Sequence, residues 1–238
     1  MTRNHPPIAL PDLVLEPEEP AVTSWRRAEL AEEWRDLLAR IPARAEAPVI
    51  VAVDGRSASS KTTLAAELAA QTPGAVVVGT DDLAWNEPLF GWAKLLRDDV
   101  LEPASQGLPV SFTPPAWTRH GRDGAVTVPA GTRVLIVEGV GSSDAAVTDL
   151  LDAAIWVQSD RVEAERRGIE RDVASGENGN REESQAFWDT WDEAERAHLA
   201  QDRPWERAQL VVAGTPPTDL QPGEALVADG PLVGEQRF

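Results

Sequence analysis

The chain has 238 residues, a formal net charge of −18 and no cysteine. This length predicts one sizeable core, and the lack of cysteine excludes disulfides and thiolate metal sites. The acidic balance argues against nucleic acid and anionic membranes as partners, because both need clustered Lys and Arg. The chain also lacks a run of about 20 apolar residues and an apolar N-terminal signal core, so we expect a cytoplasmic protein that does not span a membrane.

Both ends of the chain are expected to lie outside the core. Residues 1–22 are rich in Pro and acidic residues without periodicity, which predicts a flexible N-terminal arm. A helix is predicted from Thr23 to Ile41, where Trp and Leu recur at helical spacing. Residues 23–213 then form a single domain, and the Pro-rich and Gly-rich residues 214–238 form a loosely ordered tail.

A buried strand, a polar loop and a helix are predicted in succession from residue 49 to residue 70. Val49 to Val53 is a continuous β-branched and alanine run, typical of a strand buried on both faces. Lys61-Thr62-Thr63 leads into a run of Ala, Leu and Glu, which favours a helix. In this setting backbone N–H groups and the positive helix end bind phosphate.

The loop residues predict a site for a nucleoside triphosphate and Mg²⁺. Gly55 suits the tight turn, Lys61 the outer phosphates, and the Thr62 hydroxyl the metal ion. The chain has two lysines and twenty arginines, yet a lysine stands at the position where a compact ammonium is needed. The usual pattern has glycine at the position of Ser60. The candidate nucleotide contacts are Gly55, Arg56, Ser57, Ala58, Ser59, Ser60, Lys61, Thr62 and Thr63.

Two carboxylates follow the next predicted strand, Ala75 to Gly79. Strands of a parallel sheet end at one edge, so Asp81 and Asp82 are expected beside the γ-phosphate, where a carboxylate can accept a hydroxyl proton. The alternative is that both only begin the following helix. Asp82 and Trp85 are also candidates for contact with an acceptor.

Further candidates come from two later segments. Trp117, Arg119 and His120 combine aromatic surface with hydrogen-bonding groups, which can stack on and orient an acceptor; rigid packing in a Pro-rich loop is the alternative. A third buried strand, starting near Arg133, ends at Glu138. At that sheet edge Glu138 can help to hold Mg²⁺ or polarise the attacking hydroxyl.

The segment Asp54 to Thr63 resembles the start of the uridine kinase-like P-loop kinases, the phosphoribulokinase and uridine kinase branch. A common form there is Asp-Gly-Arg-Ser-Gly-Ser-Gly-Lys-Thr-Thr, and Ala58 and Ser60 replace two of its glycines. The resemblance extends over residues 48–213. It implies ATP and Mg²⁺ as cofactors and phosphoryl transfer to a hydroxyl of a small molecule.

The resemblance also implies residue roles. Asp81 matches the family's base, with Asp82 as the competing choice, and Glu138-Gly139 matches a strand-end motif. A lid is implied at about residues 160–181, and its candidate transition-state arginines are Arg166, Arg167 and Arg171. Arg203 is implied near the adenine.

We therefore predict a three-layer α/β/α P-loop NTPase fold with a mostly parallel sheet and a small helical lid. The predicted function is an ATP-dependent kinase, with a nucleoside or nucleoside-like metabolite as one candidate acceptor and a homodimer as a candidate assembly. The alternative is a degenerate P-loop nucleotide-binding protein or regulatory ATPase without an acceptor, which the two lost glycines favour.

Overall fold

The strands of the protein form one large sheet and one small one. The computed structural model describes residues 8–10, 13–42, 44, 46–216 and 219–233. The strands in these residues are β1 (Arg26–Glu29), β2 (Val49–Gly55), β3 (Ala75–Gly79), β4 (Val110–Phe112), β5 (Val126–Val128), β6 (Val134–Glu138), β7 (Ala153–Gln158), β8 (Leu210–Ala213) and β9 (Glu224–Asp229). The large sheet has the order β1-β9-β8-β7-β2-β6-β3, and β4 and β5 form an antiparallel pair beside it.

Five adjacent strands of the large sheet, from β8 to β3, run parallel, and β9 is antiparallel to its neighbours β8 and β1. The helices are α1 (Leu30–Ala39), α2 (Lys61–Ala70), α3 (Thr80–Ala84), α4 (Ala93–Leu95) continued by a π-helical segment (Leu96–Leu101), α5 (Glu102–Ser105), α6 (Pro115–His120), α7 (Arg161–Ser175) and α8 (Arg181–Asp202), with 3-10 turns at Thr148–Leu150 and Pro204–Glu206. Among the described helices, none has the length and apolar character that a membrane crossing needs.

The core lies on both faces of the sheet, because β2 is apolar on both sides. Val51 packs in one apolar cluster with Trp34 of α1 and Leu68 of α2. Ile50, which points to the opposite face, packs in a second cluster with Leu96. These two faces explain the unbroken β-branched run and confirm the predicted three-layer α/β/α fold.

Two predictions at the chain ends need correction. The helix expected from Thr23 begins only at Leu30, because residues 26–29 form β1 and pair with β9. The tail expected after residue 213 instead contributes β9, whose Leu226 and Val227 are fully buried. The Pro and Gly residues of this segment do lie in turns, but a short apolar strand lies between those turns, and the composition of the whole segment did not indicate it.

Residues 13–22 of the expected flexible arm lie against the domain. Glu16 and Glu19 are 4% and 9% exposed. Glu19 Oε1 accepts hydrogen bonds from Trp156 Nε1 at 2.8 Å and Gln158 Nε2 at 2.9 Å. Burial raises the pKa of Glu19 against the effect of these hydrogen bonds. Residues 1–7, 11 and 12 of the arm lie outside the described residues.

Candidate phosphate-binding and acceptor site

The loop between β2 and α2 has the predicted strand, loop and helix order. Gly55 has φ +156°, and a Cβ there would lie 2.7 Å from Val157 O, so only glycine fits. The buried Asp54 carboxylate accepts from Gly55 N at 2.7 Å and from Ser143 N at 2.9 Å. Asp54 therefore connects the start of the loop to the segment after β6.

The two positions that lack the family's glycines keep a glycine-like backbone. Ala58 has φ +56° and Ser60 has φ +80°, both in the left-handed region. A non-glycine residue held there costs about 1–3 kcal/mol. The chain thus adopts a phosphate-loop conformation in spite of these side chains, and it carries a backbone strain that glycines would avoid.

Lys61 is the first residue of α2, and its side chain is buried. Its Nζ donates to Arg56 O, a carbonyl of the loop itself, at 2.7 Å. The ammonium therefore lies over the loop, next to the N–H groups at the positive end of α2. A phosphate oxygen in the loop would be within reach of the same ammonium.

Thr62 and Glu138 form the pair expected of a magnesium site. Thr62 Oγ1 lies 3.2 Å from each carboxylate oxygen of Glu138. The parallel pairing of β2 with β6 places Glu138 opposite Val53, near the carboxyl end of β2, where the phosphate loop begins. A hydroxyl and a carboxylate are hard oxygen donors, which fits Mg²⁺.

Burial raises the pKa of Glu138, Lys61 opposes this effect, and the nearby charge of Asp81 reinforces it. Two carboxylates and an ammonium thus share the sheet edge. A divalent cation bound there would stabilise the ionised form of Glu138.

Asp81 and Asp82 stand in the first turn of α3 and have different surroundings. Asp82 forms an ion pair with Arg122, and its carbonyl accepts from Trp117 Nε1 at 2.8 Å. Asp81 is exposed and lies close enough to Glu138 to affect its pKa. The Asp82 carboxylate is therefore paired within the protein, whereas the Asp81 carboxylate is exposed and lies near Glu138.

Aromatic side chains lie next to Asp82 at the candidate acceptor site: Trp117 is buried, Trp85 is half-buried and His120 is exposed. The Arg122 guanidinium lies 3.6 Å from the ring centre of Trp117 and 5.4 Å from that of Trp85. His120 packs edge-on against Trp85 at 5.9 Å. Arg119 instead points to the surface, where it pairs with Glu87 and is 55% exposed. The structure thus brings Trp85, Trp117 and His120 together with Asp82 but leaves Arg119 outside.

Sequence reasoning missed Arg122. Helix α6 ends at His120 and is capped by Gly121, and Arg122 N donates back to Trp117 O at 2.9 Å. This hydrogen bond brings the backbone of Arg122 back towards Trp117, so that the Arg122 guanidinium lies over the Trp117 indole. An arginine five residues after a tryptophan was the only indication in the sequence.

Of the three candidate lid arginines, only Arg167 reaches the loop. Its NH1 lies 3.3 Å from both Ser60 Oγ and Gly214 O. Its Nε and NH2 are buried and have no hydrogen-bond partner among the described residues. Arg166 pairs with glutamates of its own helix, and Arg171 pairs with the adjacent Asp172 and is 60% exposed.

The predicted adenine contact at Arg203 is not brought to the loop. Arg203 follows α8 and lies near Glu18 and Glu206. Gly214, which we did not predict, approaches the loop so closely that a Cβ there would lie 2.3 Å from Ser59 O. A glycine directly after the last parallel strand was the sequence feature that could have identified it.

Arg56 was predicted as a nucleotide contact, but its side chain turns away from the phosphate side into a buried ion cluster. Arg56 NH1 lies 2.5 Å from Glu16 Oε1, and NH2 lies 3.0 Å from both Asp192 Oδ1 and Glu195 Oε2. Sequence reasoning missed Glu195, which is completely buried. It follows Trp188 and Trp191 at helical spacing on α8, so it occupies a position of the apolar stripe.

The loop that begins at Gly55, together with Lys61, Thr62 and the facing Glu138, defines a P-loop α/β protein. No family model matches the sequence, and no curated protein matches it. Solved structures match in fold. A possible uridine kinase from Bacillus stearothermophilus aligns with a TM-score of 0.50 at 15% identity, covering 77% of this chain and 96% of that chain. D-glycerate 3-kinase from Cryptococcus neoformans var. grubii serotype A also gives a TM-score of 0.50, at 13% identity, covering 77% and 93%.

The chain therefore has the fold of the uridine kinase-like P-loop kinases, as the resemblance of its phosphate loop implied. At these identities the likeness concerns the fold. The two neighbours are described as kinases of different acceptors, so the fold does not select an acceptor for this chain.

Proposed function

We propose that this protein is a kinase that uses Mg²⁺ and ATP to phosphorylate a hydroxyl group of a small molecule. The observation that carries the proposal is the contact of the Thr62 hydroxyl with both Glu138 oxygens, directly beside Lys61. A metal site at a phosphate loop is needed for chemistry on a triphosphate. A structural turn would need no such pair.

The phosphate loop binds the triphosphate in this proposal. The backbone N–H groups of Ala58 and of residues 60–63 would donate to phosphate oxygens, and Lys61 would exchange its bond to Arg56 O for one to the outer phosphates. Thr62 and Glu138 would hold Mg²⁺, which supplies positive charge beside the transferred group. Arg56 would act through the shape of the loop and would not contact the nucleotide with its side chain.

Asp81 is the proposed general base. Its exposed carboxylate would accept the proton of the acceptor hydroxyl while the oxygen forms a bond to the γ-phosphorus, and the bond from that phosphorus to the bridging oxygen of ADP breaks. Asp82 suits this role less, because its carboxylate is paired with Arg122.

Arg167 is the proposed transition-state residue. Its guanidinium already lies against Ser60, its Nε is paired with Glu163 at 3.8 Å, and its NH2, which has no hydrogen-bond partner among the described residues, can donate to a phosphoryl oxygen. Arg166 and Arg171 would reach the same oxygens only after a movement of the lid, residues 160–181, so we assign the role to Arg167.

The acceptor would bind beside Asp81, against Trp85 and Arg122, whereas Trp117 is 4% exposed and packs in the core beneath Arg122. The Trp85 indole can stack on a planar or apolar group, and the guanidinium with Asp82 offers hydrogen bonds. A nucleoside or nucleoside-like alcohol satisfies both requirements. Small hydroxy acids are the other class to test, because Arg122 can exchange Asp82 for a ligand carboxylate.

A second function is a nucleotide-binding protein or slow ATPase without an acceptor. The left-handed Ala58 and Ser60 favour it, since a strained loop can lose affinity for phosphate. The two functions differ in whether any alcohol accelerates the release of ADP.

Calorimetric titration of Mg²⁺–ATP into the wild type and into Lys61→Ala tests both functions. The kinase requires binding that the variant loses, and faster ADP release with one member of a panel of nucleosides, sugars and hydroxy acids. Binding without acceleration by any member selects the second function. Absence of binding at millimolar ATP rejects both.

A further inference from the structure

The strained backbone of the phosphate loop must be stabilised by contacts with the rest of the fold. Ala58 and Ser60 hold left-handed conformations that are strained for residues with a Cβ. Glycines at these positions would make the conformation accessible to the loop alone. The contacts that hold the present loop therefore have to come from elsewhere in the fold.

A buried carboxylate on α8 contacts the loop just before the first strained residue. Glu195 Oε1 accepts from Ser57 N at 2.7 Å, and Glu195 Oε2 accepts from Arg56 NH2 at 3.0 Å. Trp191, one turn earlier on α8, donates from Nε1 to Ser57 Oγ at 2.7 Å. One helix thus fixes both the backbone and the side chain of Ser57.

The same contacts orient the carbonyl on which the rest of the loop depends. Arg56 O accepts from Ser59 N at 3.2 Å and from Lys61 Nζ at 2.7 Å. The Arg56 side chain is held by Glu195, Asp192 and, from the N-terminal arm, Glu16. Burial alone would lower the pKa of the Arg56 guanidinium, but Glu195 and Glu16 raise it above its ordinary value, so the guanidinium stays charged.

We propose that Glu195 is a positioning residue that, with Arg56, holds the phosphate loop in its strained conformation and replaces the conformational role of the two missing glycines. The geometry supports this role because a carboxylate that is 0% exposed is costly unless its oxygens are satisfied, and two of its three donors belong to the loop. The effect on nucleotide affinity rests on the proposed function; the effect on the loop does not.

The test introduces glycine at positions 58 and 60, where the resembling family has it. Four proteins are compared by calorimetry with Mg²⁺–ATP: wild type, Glu195→Gln, Ala58→Gly with Ser60→Gly, and the triple variant. Glu195→Gln is expected to raise Kd about tenfold or more, since a hydrogen bond to a charged group is worth about one such factor. The glycines alone should change Kd less than about threefold, because relief of strain and loss of backbone entropy oppose each other.

Recovery of the triple variant to within about threefold of wild type supports the proposal, since glycines cannot replace a role of Glu195 in packing. A triple variant as weak as Glu195→Gln overturns it, and so does an unchanged Kd in Glu195→Gln. Glu193→Gln is the matched control, an exposed glutamate on the same helix, and should bind like the wild type.

Urea unfolding of the same four proteins tests the loop without nucleotide. The destabilisation caused by Glu195→Gln should be larger in the glycine background, because there the loop has no strain to release when the contact is lost, and equal losses in both backgrounds overturn the proposal. If Glu195→Gln does not fold, Glu16→Gln replaces it, because it removes one charge from Arg56 and leaves Glu195 in place. A wild type that binds no ATP would reject the proposed kinase, and the unfolding comparison would still decide the role of Glu195.

Discussion

The Thr62 hydroxyl lies 3.2 Å from both carboxylate oxygens of Glu138, although the two residues are 76 positions apart in the chain. The parallel pairing of β2 with β6 brings them together. We expect Thr62→Val to lower kcat about 100-fold or more, because metal stabilisation of the transferred charge is worth several kcal/mol. Thr62→Ser, which keeps the hydroxyl, should retain most of the activity, and the Mg²⁺ dependence of kcat is the measurement.

Equal kcat values for the valine and serine variants would contradict the metal site. Glu138→Gln provides a second check, because it removes the charge and keeps the shape. Its Mg²⁺ requirement should rise to higher concentrations.

Asp81→Asn should lower kcat by about 10²–10⁴-fold, the usual contribution of a general base. Binding of Mg²⁺–ATP should remain close to that of the wild type, because Asp81 does not contact the nucleotide in the proposed mechanism. Asp82→Asn should instead raise KM for the acceptor, since it releases Arg122 from its ion pair. Steady-state kinetics of the two variants separates these effects, and the reverse pattern would make Asp82 the base.

Arg167→Ala should lower kcat about 100-fold or more, the loss expected when one preorganised donor to the transition state is removed. Arg166→Ala should leave kcat within about twofold, because Arg166 makes exposed ion pairs that contribute little. Both substitutions remove one positive charge from α7, so the comparison controls for charge. Similar losses in the two variants would mean that the lid closes in a way that uses Arg166 as well.

The buried Glu19 predicts a pH dependence of stability. Its folded-state pKa lies above the ordinary value of 4.5. Below that value both states are protonated; as the pH rises through the folded-state pKa, the buried carboxylate ionises and the free energy of unfolding falls. Each unit of raised pKa corresponds to about 1.4 kcal/mol.

Glu19→Gln should remove this part of the pH dependence and be more stable than the wild type near pH 8, because an amide oxygen can accept the same bonds from Trp156 and Gln158. Urea unfolding between pH 4 and pH 8 is the measurement, and the exposed Glu18→Gln is the control. A constant stability difference across this range would show that Glu19 does not titrate there.

The phosphate loop could be predicted from the sequence because its strand, loop and helix are contiguous in the chain, and Glu138 could be placed beside it because parallel strands end at one edge. The β-branched run before Gly55 and the Lys61-Thr62 pair predicted the strand, loop and helix, and the parallel sheet that follows from such strands predicted that Glu138 would meet Thr62. The prediction failed at β9, because a short apolar strand between turns has no periodicity that separates it from a loop.

The sequence by itself determined the fold class and the residues at the ends of β2, β3 and β6, since strand ends of a parallel sheet share one edge. Only the tertiary structure decided which arginine reaches the loop and what holds Ser57, because these depend on how α7 and α8 pack over the sheet. Arg167 and Arg166 are adjacent in sequence, yet their directions on α7 differ by about 100°, and so only one faces Ser60. Nothing in the sequence distinguishes Glu195 from the other glutamates of the chain. Only the tertiary structure shows that it is buried, that it pairs with Arg56, and that it contacts the strained loop.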